Sequence, residues 1–351
     1  ASPYHKNRKN IRKDLIVKNF GDANCPFVYC NLIGGQDELI FDGNSMVFNS
    51  DMNLIAEGKN FEEDLIIVDT DSSLINESEV EINNEIYSAL TLGIKDYFSK
   101  TGHQRAVIGL SGGIDSALVA CLAVDALGSE NVYLVSMPSR FSSEHSKTDA
   151  KQLAQNLNAH FDTVDIDSLF EKYLDVLNPK FKGLESNVAE ENIQSRIRGN
   201  ILMAFSNKFG CLVLSTGNKT ELALGYCTLY GDMSGGLSVI GDLSKTEVYN
   251  LAKWKNKVSN NIIPDSSITK PPSAELAPNQ VDPFDYDVIS PIVDKVIYNE
   301  SIDNNNSETD EIIRRINQNE YKRRQTPPIL RITRKAFGMG RRFPIVNHFH
   351  E

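Results

Sequence analysis

A short apolar strand that ends in a glycine-rich loop and runs straight into an alanine-rich helix constrains this chain more than any other feature. Residues 105–110 carry Ala106, Val107, Ile108 and Leu110, a buried-strand pattern, and residues 116–127 read as a helix rich in alanine and leucine. A loop placed between them sits at a helix N-terminus. There the unpaired backbone N–H groups and the positive end of the helix dipole attract anions, and paired glycines let the backbone approach them closely. Phosphate is the expected guest of Gly109, Leu110, Ser111, Gly112, Gly113, Ile114, Asp115 and Ser116. A Walker A loop requires Gly-Lys-Ser/Thr and a dinucleotide fingerprint requires G-x-G-x-x-G; neither occurs here.

Residues 1–69 look strand-rich, with β-like runs at 26–33, 45–48 and 65–68 and a turn signal at Asp42-Gly43-Asn44. The polar stretch 70–79 is read as a linker. From residue 80 the pattern changes to helices alternating with short apolar strands: helices at 82–98, 116–127, 143–157 and 192–205, and strands at 105–110, 132–137, 161–166 and 211–215. That alternation predicts an α/β fold, a doubly wound parallel sheet with helices on both faces. Ligands in such sheets bind at the carboxyl ends of strands, where the Ser111–Ser116 loop falls.

The 351 residues, 40% of them hydrophobic, supply one large or two modest cores. The sequence holds no apolar run of membrane-spanning length and opens without a signal-peptide pattern, so a cytoplasmic protein with no membrane contact is expected. Five scattered cysteines, Cys25, Cys30, Cys121, Cys211 and Cys227, read as reduced and mostly buried thiols. A net charge of -11 argues against nucleic acid as a partner. Ten Lys/Arg between 314 and 342 against one acid, Glu320, form a local basic run, read first as a solvated helix face and tail.

The string SGGIDS resembles the SGGxDS loop of the ATP pyrophosphatases, which hold the triphosphate of ATP and cut between its α and β phosphates. Taken with ENIQSRIR at 191–198, STGNKTELALGYCTLYGD at 215–232 and GDLSKTEV at 241–248, it resembles NAD(+) synthetase over residues 80–351, an adenine nucleotide alpha hydrolase-like fold. The resemblance implies ATP-dependent amidation of deamido-NAD through an acyl-adenylate, with ATP as co-substrate and Mg²⁺ as cofactor. It implies Asp115 and Lys245 as catalytic residues, Asp115 and Glu221 as metal ligands, and Thr216, Lys245 and Ser273 as ATP contacts beside the loop. Asn192, Arg196, Glu221, Tyr226, Leu229, Asp232 and Lys322 match the family's deamido-NAD contacts, with Leu229 standing where some members have lysine. Ser273 falls in PPSAEL at 271–276, a family lid, and the irregular run 256–291 is expected to order largely on nucleotide binding. Lys322, in YKRRQ, matches an element that returns to the dinucleotide phosphates, often across a dimer; the family forms homodimers or larger homo-oligomers.

The stretch YCNLIGGQDELIFDGNS at 29–45 resembles the last part of a nitrilase-like glutaminase, a partial α/β sandwich segment whose family uses a Glu/Lys/Cys set. Ser2 and Arg8 match glutamine-contact positions, and Cys25 and Cys30 match structural strand positions rather than the nucleophile. The expectation is a piece of a longer protein: ammonia is the nitrogen source for the 351 residues alone, and glutamine when an upstream glutaminase half is present. Two other readings compete, another ATP pyrophosphatase amidotransferase and a catalytically silent nucleotide-binding scaffold.

Overall fold

The computed structural model describes residues 1–75, 81–301, 307–338 and 340–346. The N-terminal segment contains α1 (Arg8–Phe20), β1 (Phe27–Tyr29), β2 (Ile33–Gln36), β3 (Leu39–Asp42), β4 (Met46–Phe48) and β5 (Leu54–Glu57). Strands β1, β4 and β5 form an antiparallel sheet on which α1 lays Ile16 against Met46, Phe48 and Leu54; β2 and β3 form a separate hairpin. This hairpin packs on α2 (Ile82–Thr101). Asp96 accepts the Gly35 N–H at 2.8 Å, Lys100 donates to the Gly35 carbonyl at 2.6 Å, and Tyr4 and Ile40 join the main core.

The main body follows with β6 (Arg105–Gly109), α3 (Ile114–Leu127), β7 (Val132–Ser136), α4 (Glu144–Asn156), β8 (His160–Thr163), α5 (Asp167–Leu177), α6 (Val188–Phe209) and β9 (Cys211–Ser215). After these come α7 (Lys219–Leu224), β10 (Leu237–Ser238), α8 (Lys245–Val258), α9 (Asp265–Thr269), α10 (Tyr286–Tyr298), α11 (Ser307–Gln318) and α12 (Glu320–Arg323). The sheet is parallel in every pairing, in the order β10-β9-β6-β7-β8. Side chains alternate along the strands as a doubly covered sheet requires. Ala106, Ile108, Leu134 and Leu214 meet α2, α3 and α8, while Val107, Val135 and Val213 meet α5 and α6. Because β6 is central and the chain turns first toward β7 and later back to β9, the carboxyl ends of β6 and β9 diverge into a crevice, the topological switch point of the fold.

Three sequence expectations are corrected. Residues 65–68 are not a strand: Leu65 and Ile67 are 83% and 90% exposed, and Asp64 takes the backbone N–H groups of Lys59 and Leu65 in an irregular turn. The front segment is strand-rich as expected, with β1–β5, and carries in addition the helix Arg8–Phe20. Cys25 and Cys30 flank β1 and are exposed, leaving only Cys121 and Cys211 buried. The run 256–291 is not wholly irregular, because α8 extends to Val258, α9 lies within it, and Pro291 falls inside α10. Part of the expected linker, 76–79, lies outside the described residues.

The basic run is split between a buried arginine and a solvated helix face. Arg323 is 4% exposed, donates to the Leu222, Ala223 and Ile316 carbonyls, and stacks on Phe337 at 4.7 Å. Arg314 and Arg315 pair with Glu311.

Candidate active site

At the switch point a cavity of 290 Å³ opens between the loop after β6, the loop after β9, the N-terminus of α8 and the irregular strap 270–285. The first wall is the Ser111–Ser116 loop. Its shape is held from within: Ser116 Oγ donates to the Gly113 carbonyl at 3.0 Å, and the Ser111 hydroxyl accepts the Gly113 N–H at 3.2 Å. Gly112 has φ +79, and a Cβ there would lie 2.2 Å from the Ser146 carbonyl of α4. Only glycine permits both the left-handed backbone and that approach. Gly112 therefore fastens the loop to α4 and, unlike its neighbours, does not line the cavity.

The N-cap of α3 is Gly113, which has no side chain to satisfy the first-turn amides, and Ile114, Asp115 and Ser116 of that turn line the cavity. The helices on the opposite wall are capped from within. Asn218 and Glu221 make a complete capping box on α7, and Ser244 and Glu247 make one on α8. The helix end left free for an anion is the one that the glycine loop feeds.

Three titratable side chains converge there. Lys245 Nζ stands 2.5 Å from Asp115 Oδ2 and 3.3 Å from Glu221 Oε1, with its side chain 4% exposed. Burial opposes its charge, but Asp115 and Glu221 outweigh that and raise its pKa, so the ammonium persists. Burial pushes the Glu221 carboxyl up to about 8, against Lys245 and with the added repulsion of Asp115. The ring of Tyr286 lies 5.4 Å from the ammonium and its hydroxyl donates to Asp282 at 2.8 Å. Asn218, fully buried, donates from Nδ2 to Asp115 Oδ1 at 2.9 Å and so ties the α7 cap to the phosphate loop. Sequence reasoning passed over Asn218, although its spacing to Glu221 is a capping-box signal.

Beneath this cluster Lys219, fully buried, stands 2.8 Å from Asp294 and 3.4 Å from Asp242. Asp242 also accepts the N–H groups of Ile332 and Thr333 and the Thr333 hydroxyl, at 2.7–2.8 Å.

Thr216, Tyr226, Asp232 and Ser273 also line the cavity, whereas Asn192, Arg196, Leu229 and Lys322 do not. Asn192 and Arg196 lie on a face of α6 that grips the loop 228–232. Asn192 Oδ1 accepts the Thr228 hydroxyl at 2.6 Å, Arg196 donates to the Leu229 carbonyl at 3.2 Å, and Ser195 Oγ accepts the Asp232 N–H at 3.0 Å. A Cβ on Gly231 would lie 2.3 Å from that serine oxygen. Lys322 holds the same segment from the other side, donating to the Gly225 and Cys227 carbonyls at 2.7 and 2.9 Å. Leu229 packs with the apolar cluster of α7, α10 and α11. Ser2 accepts hydrogen bonds from Arg8 and from Arg12, each at 3.1 Å, and Arg12 forms a buried bidentate pair with Asp42.

The strap carries Ser273, whose hydroxyl donates to the Gln280 carbonyl at 2.5 Å, and Glu275, which accepts from Ser143 and Ser146 at the start of α4. Arg198 and Lys270, absent from the sequence-derived set, also line the cavity; Arg198 donates to the Met137 carbonyl at 2.9 Å and burial lowers its pKa to about 10. Arg198 lies in the ENIQSRIR string, which was the available signal for it. No group of three or more His, Cys, Asp or Glu side chains fit to hold a metal by themselves occurs among the described residues, and no described helix is long and apolar enough to cross a membrane.

Comparison with known proteins agrees with this geometry. Residues 86–326 match the NAD synthase family and residues 19–79 the carbon-nitrogen hydrolase family. The chain is 45% identical to the glutamine-dependent NAD(+) synthetase of Synechocystis sp., covering all of this chain and 66% of that one. It is 43% identical to the enzyme of the same name from Aquifex aeolicus, over 99% of this chain and 70% of the relative. The structure of the glutamine-dependent NAD+ synthetase of Acinetobacter baumannii, in complex with ADP, superposes with a TM-score of 0.74 at 39% identity, over 99% of this chain and 66% of that one. The chain thus spans about two thirds of the length of these relatives. With a crevice at the β6/β9 divergence, a family match across most of its length and relatives above 40% identity, this chain belongs to the glutamine-dependent NAD(+) synthetase family.

Proposed function

We propose that this chain catalyses the ATP-dependent amidation of deamido-NAD to NAD. The nicotinate carboxylate attacks the α-phosphorus of ATP, the bond to the β-phosphate oxygen breaks, and pyrophosphate leaves. Ammonia then attacks the acyl-adenylate carbonyl, a proton is lost to solvent, and AMP departs with both electrons of the acyl–oxygen bond. The observation that carries this reading is the meeting of the uncapped α3 N-terminus with Lys245, Asp115 and Glu221 at one end of the cavity.

In this assignment the amides of the Ser111–Ser116 loop receive the triphosphate, and Thr216 and Ser273 stand on either side of the nucleotide. Lys245 keeps two carboxylates in fixed positions and offers a positive charge to the departing pyrophosphate. Two carboxylates held side by side by Lys245 and Asn218 suit Mg²⁺, a hard ion that takes one or two carboxylates and completes its shell with phosphate oxygens and water. Asp115 and Glu221 would hold it, and once bound it would neutralise charge on the leaving group. Tyr226 and Asp232 contribute to the deamido-NAD site directly. Asn192, Arg196, Leu229 and Lys322 serve it by shaping the segment 225–232.

The division is 1–69 as the end of a carbon-nitrogen hydrolase domain holding the partial glutamine site of Ser2 and Arg8, 70–79 as linker, and 80–351 as the synthetase. The working form is a homo-oligomer in the cytoplasm. Incubation with ATP, Mg²⁺, deamido-NAD and ammonium chloride is expected to give AMP and NAD in equal amounts by mass spectrometry. Formation of ADP instead overturns the reaction class. Replacing ammonium with glutamine is expected to stop NAD formation by the 351 residues alone.

A further inference from the structure

One residue of the N-terminal segment touches the α8 turn of the charged cluster directly and reaches the α7 turn through two intermediaries, Ile332 and Asp242. Lys6 donates its backbone N–H to the Ile332 carbonyl at 2.9 Å, and Ile332 in turn donates to Asp242 at 2.8 Å. Asp242 faces Lys219, the first residue of α7, two positions before Glu221. The Lys6 side chain makes an ion pair with Glu247 Oε1, and the second oxygen of Glu247 accepts the Ser244 N–H at 2.8 Å in the α8 capping box. The first residue of α8 is Lys245.

We propose that Lys6 is a positioning residue for the nucleotide site, acting through the Glu247 cap on Lys245 and through Ile332 and Asp242 on α7. Three observations support it. The pair is only about a quarter exposed at each end, 25% and 23%, so water screens it incompletely. Burial would raise the Glu247 carboxyl, yet Lys6 overrides burial and its pKa is lowered, which keeps the cap anionic. The stretch that bears Lys6 is pinned by Tyr4, 1% exposed, whose N–H donates to the Ile40 carbonyl at 2.7 Å, so the ammonium is delivered from a fixed backbone. The N-terminal segment thereby completes the synthetase site, apart from any supply of ammonia.

Lys9 provides an internal control, because its ion-pair partner is Glu57 of β5 rather than a residue of the α8 cap. The experiment measures ATP affinity in the presence of Mg²⁺ by titration calorimetry, and AMP release with ammonium chloride, on the full 351-residue chain. Lys6→Met is expected to weaken ATP binding about fivefold and to lower kcat as well, the loss expected of one partly buried ion pair. Lys6→Arg is expected to restore both, and Lys9→Met to leave ATP affinity at the starting value. Should Lys6→Met not fold, Lys6→Gln carries the same expectation. Wild-type ATP affinity in the Lys6 variant, or an equal loss in Lys9→Met, overturns the proposal. It depends on the preceding functional reading only for the reaction: ATP binding that responds to Lys6 in a protein that makes no NAD would sink that reading and leave this one standing.

Discussion

Replacing Glu221 by glutamine should stabilise the folded protein at alkaline pH while impairing its activity. The carboxyl titrates near 4.5 in the unfolded chain and is pushed up to about 8 in the fold by burial, with Asp115 repelling and Lys245 attracting. Between those two values the folded state holds a proton that the unfolded state has released. Stability therefore falls as pH rises through this window, and the full penalty is present only above about 8. At 1.36 kcal/mol per pK unit the ceiling is about 5 kcal/mol. The side chain is 19% exposed and in reach of water, which brings the expectation to about 2 kcal/mol. Glutamine keeps the capping-box geometry at the third position of α7 but carries no charge to desolvate. Urea unfolding without Mg²⁺ should show the Glu221→Gln variant equal to wild type near pH 5 and more stable by about 2 kcal/mol at pH 8.5. Equal stabilities at both pH values, or a variant less stable at pH 8.5, would refute the electrostatic account of this cluster. The same variant should lose AMP formation, a trade of stability against function common at active sites.

Asp115→Asn should leave the fold intact but reduce AMP release on the order of 100-fold, measured by chromatography with ATP, Mg²⁺, deamido-NAD and ammonium chloride. Gly112→Ala forces a Cβ to within 2.2 Å of the Ser146 carbonyl at a positive φ. It should cost about 2–4 kcal/mol in urea unfolding and abolish ATP binding in calorimetry. Gly231→Ala drives a methyl group against Ser195 and should unseat the loop 228–232, raising KM for deamido-NAD severalfold while ATP affinity is retained.

Strands β6, β7 and β9 were legible because a sheet covered on both faces demands short unbroken apolar runs, and few other structures do. The phosphate loop was legible for a related reason: strand, glycines and helix fall together within a dozen residues. Helix α1 was hidden because only Arg12 and Ile16 of its residues are buried, so its apolar spacing carries little signal. The run at 65–68 misled in the opposite sense, being β-branched and apolar but without a strand edge to pair with. In the site, Asp115, Glu221 and Lys245 could be named from their motifs, yet their mutual arrangement depends on segments over 100 residues apart. Asn192 and Arg196 were placed together correctly on one helical face, but the sequence could not reveal that the face grips a loop rather than lining the cavity.

The buried Lys219 has a consequence for how this half of the molecule comes apart. Its ammonium joins α7, α10 and, through Asp242, the irregular segment at Ile332 and Thr333. None of these pieces can lift away without exposing an uncompensated ion to a dry interior, a cost of several kcal/mol. Fraying is thus suppressed at what would otherwise be short, independent elements. Amides of α7 should exchange with deuterium only in the slowest class, together with those of α10, so that the six-residue helix bearing Glu221 opens as part of one cooperative unit.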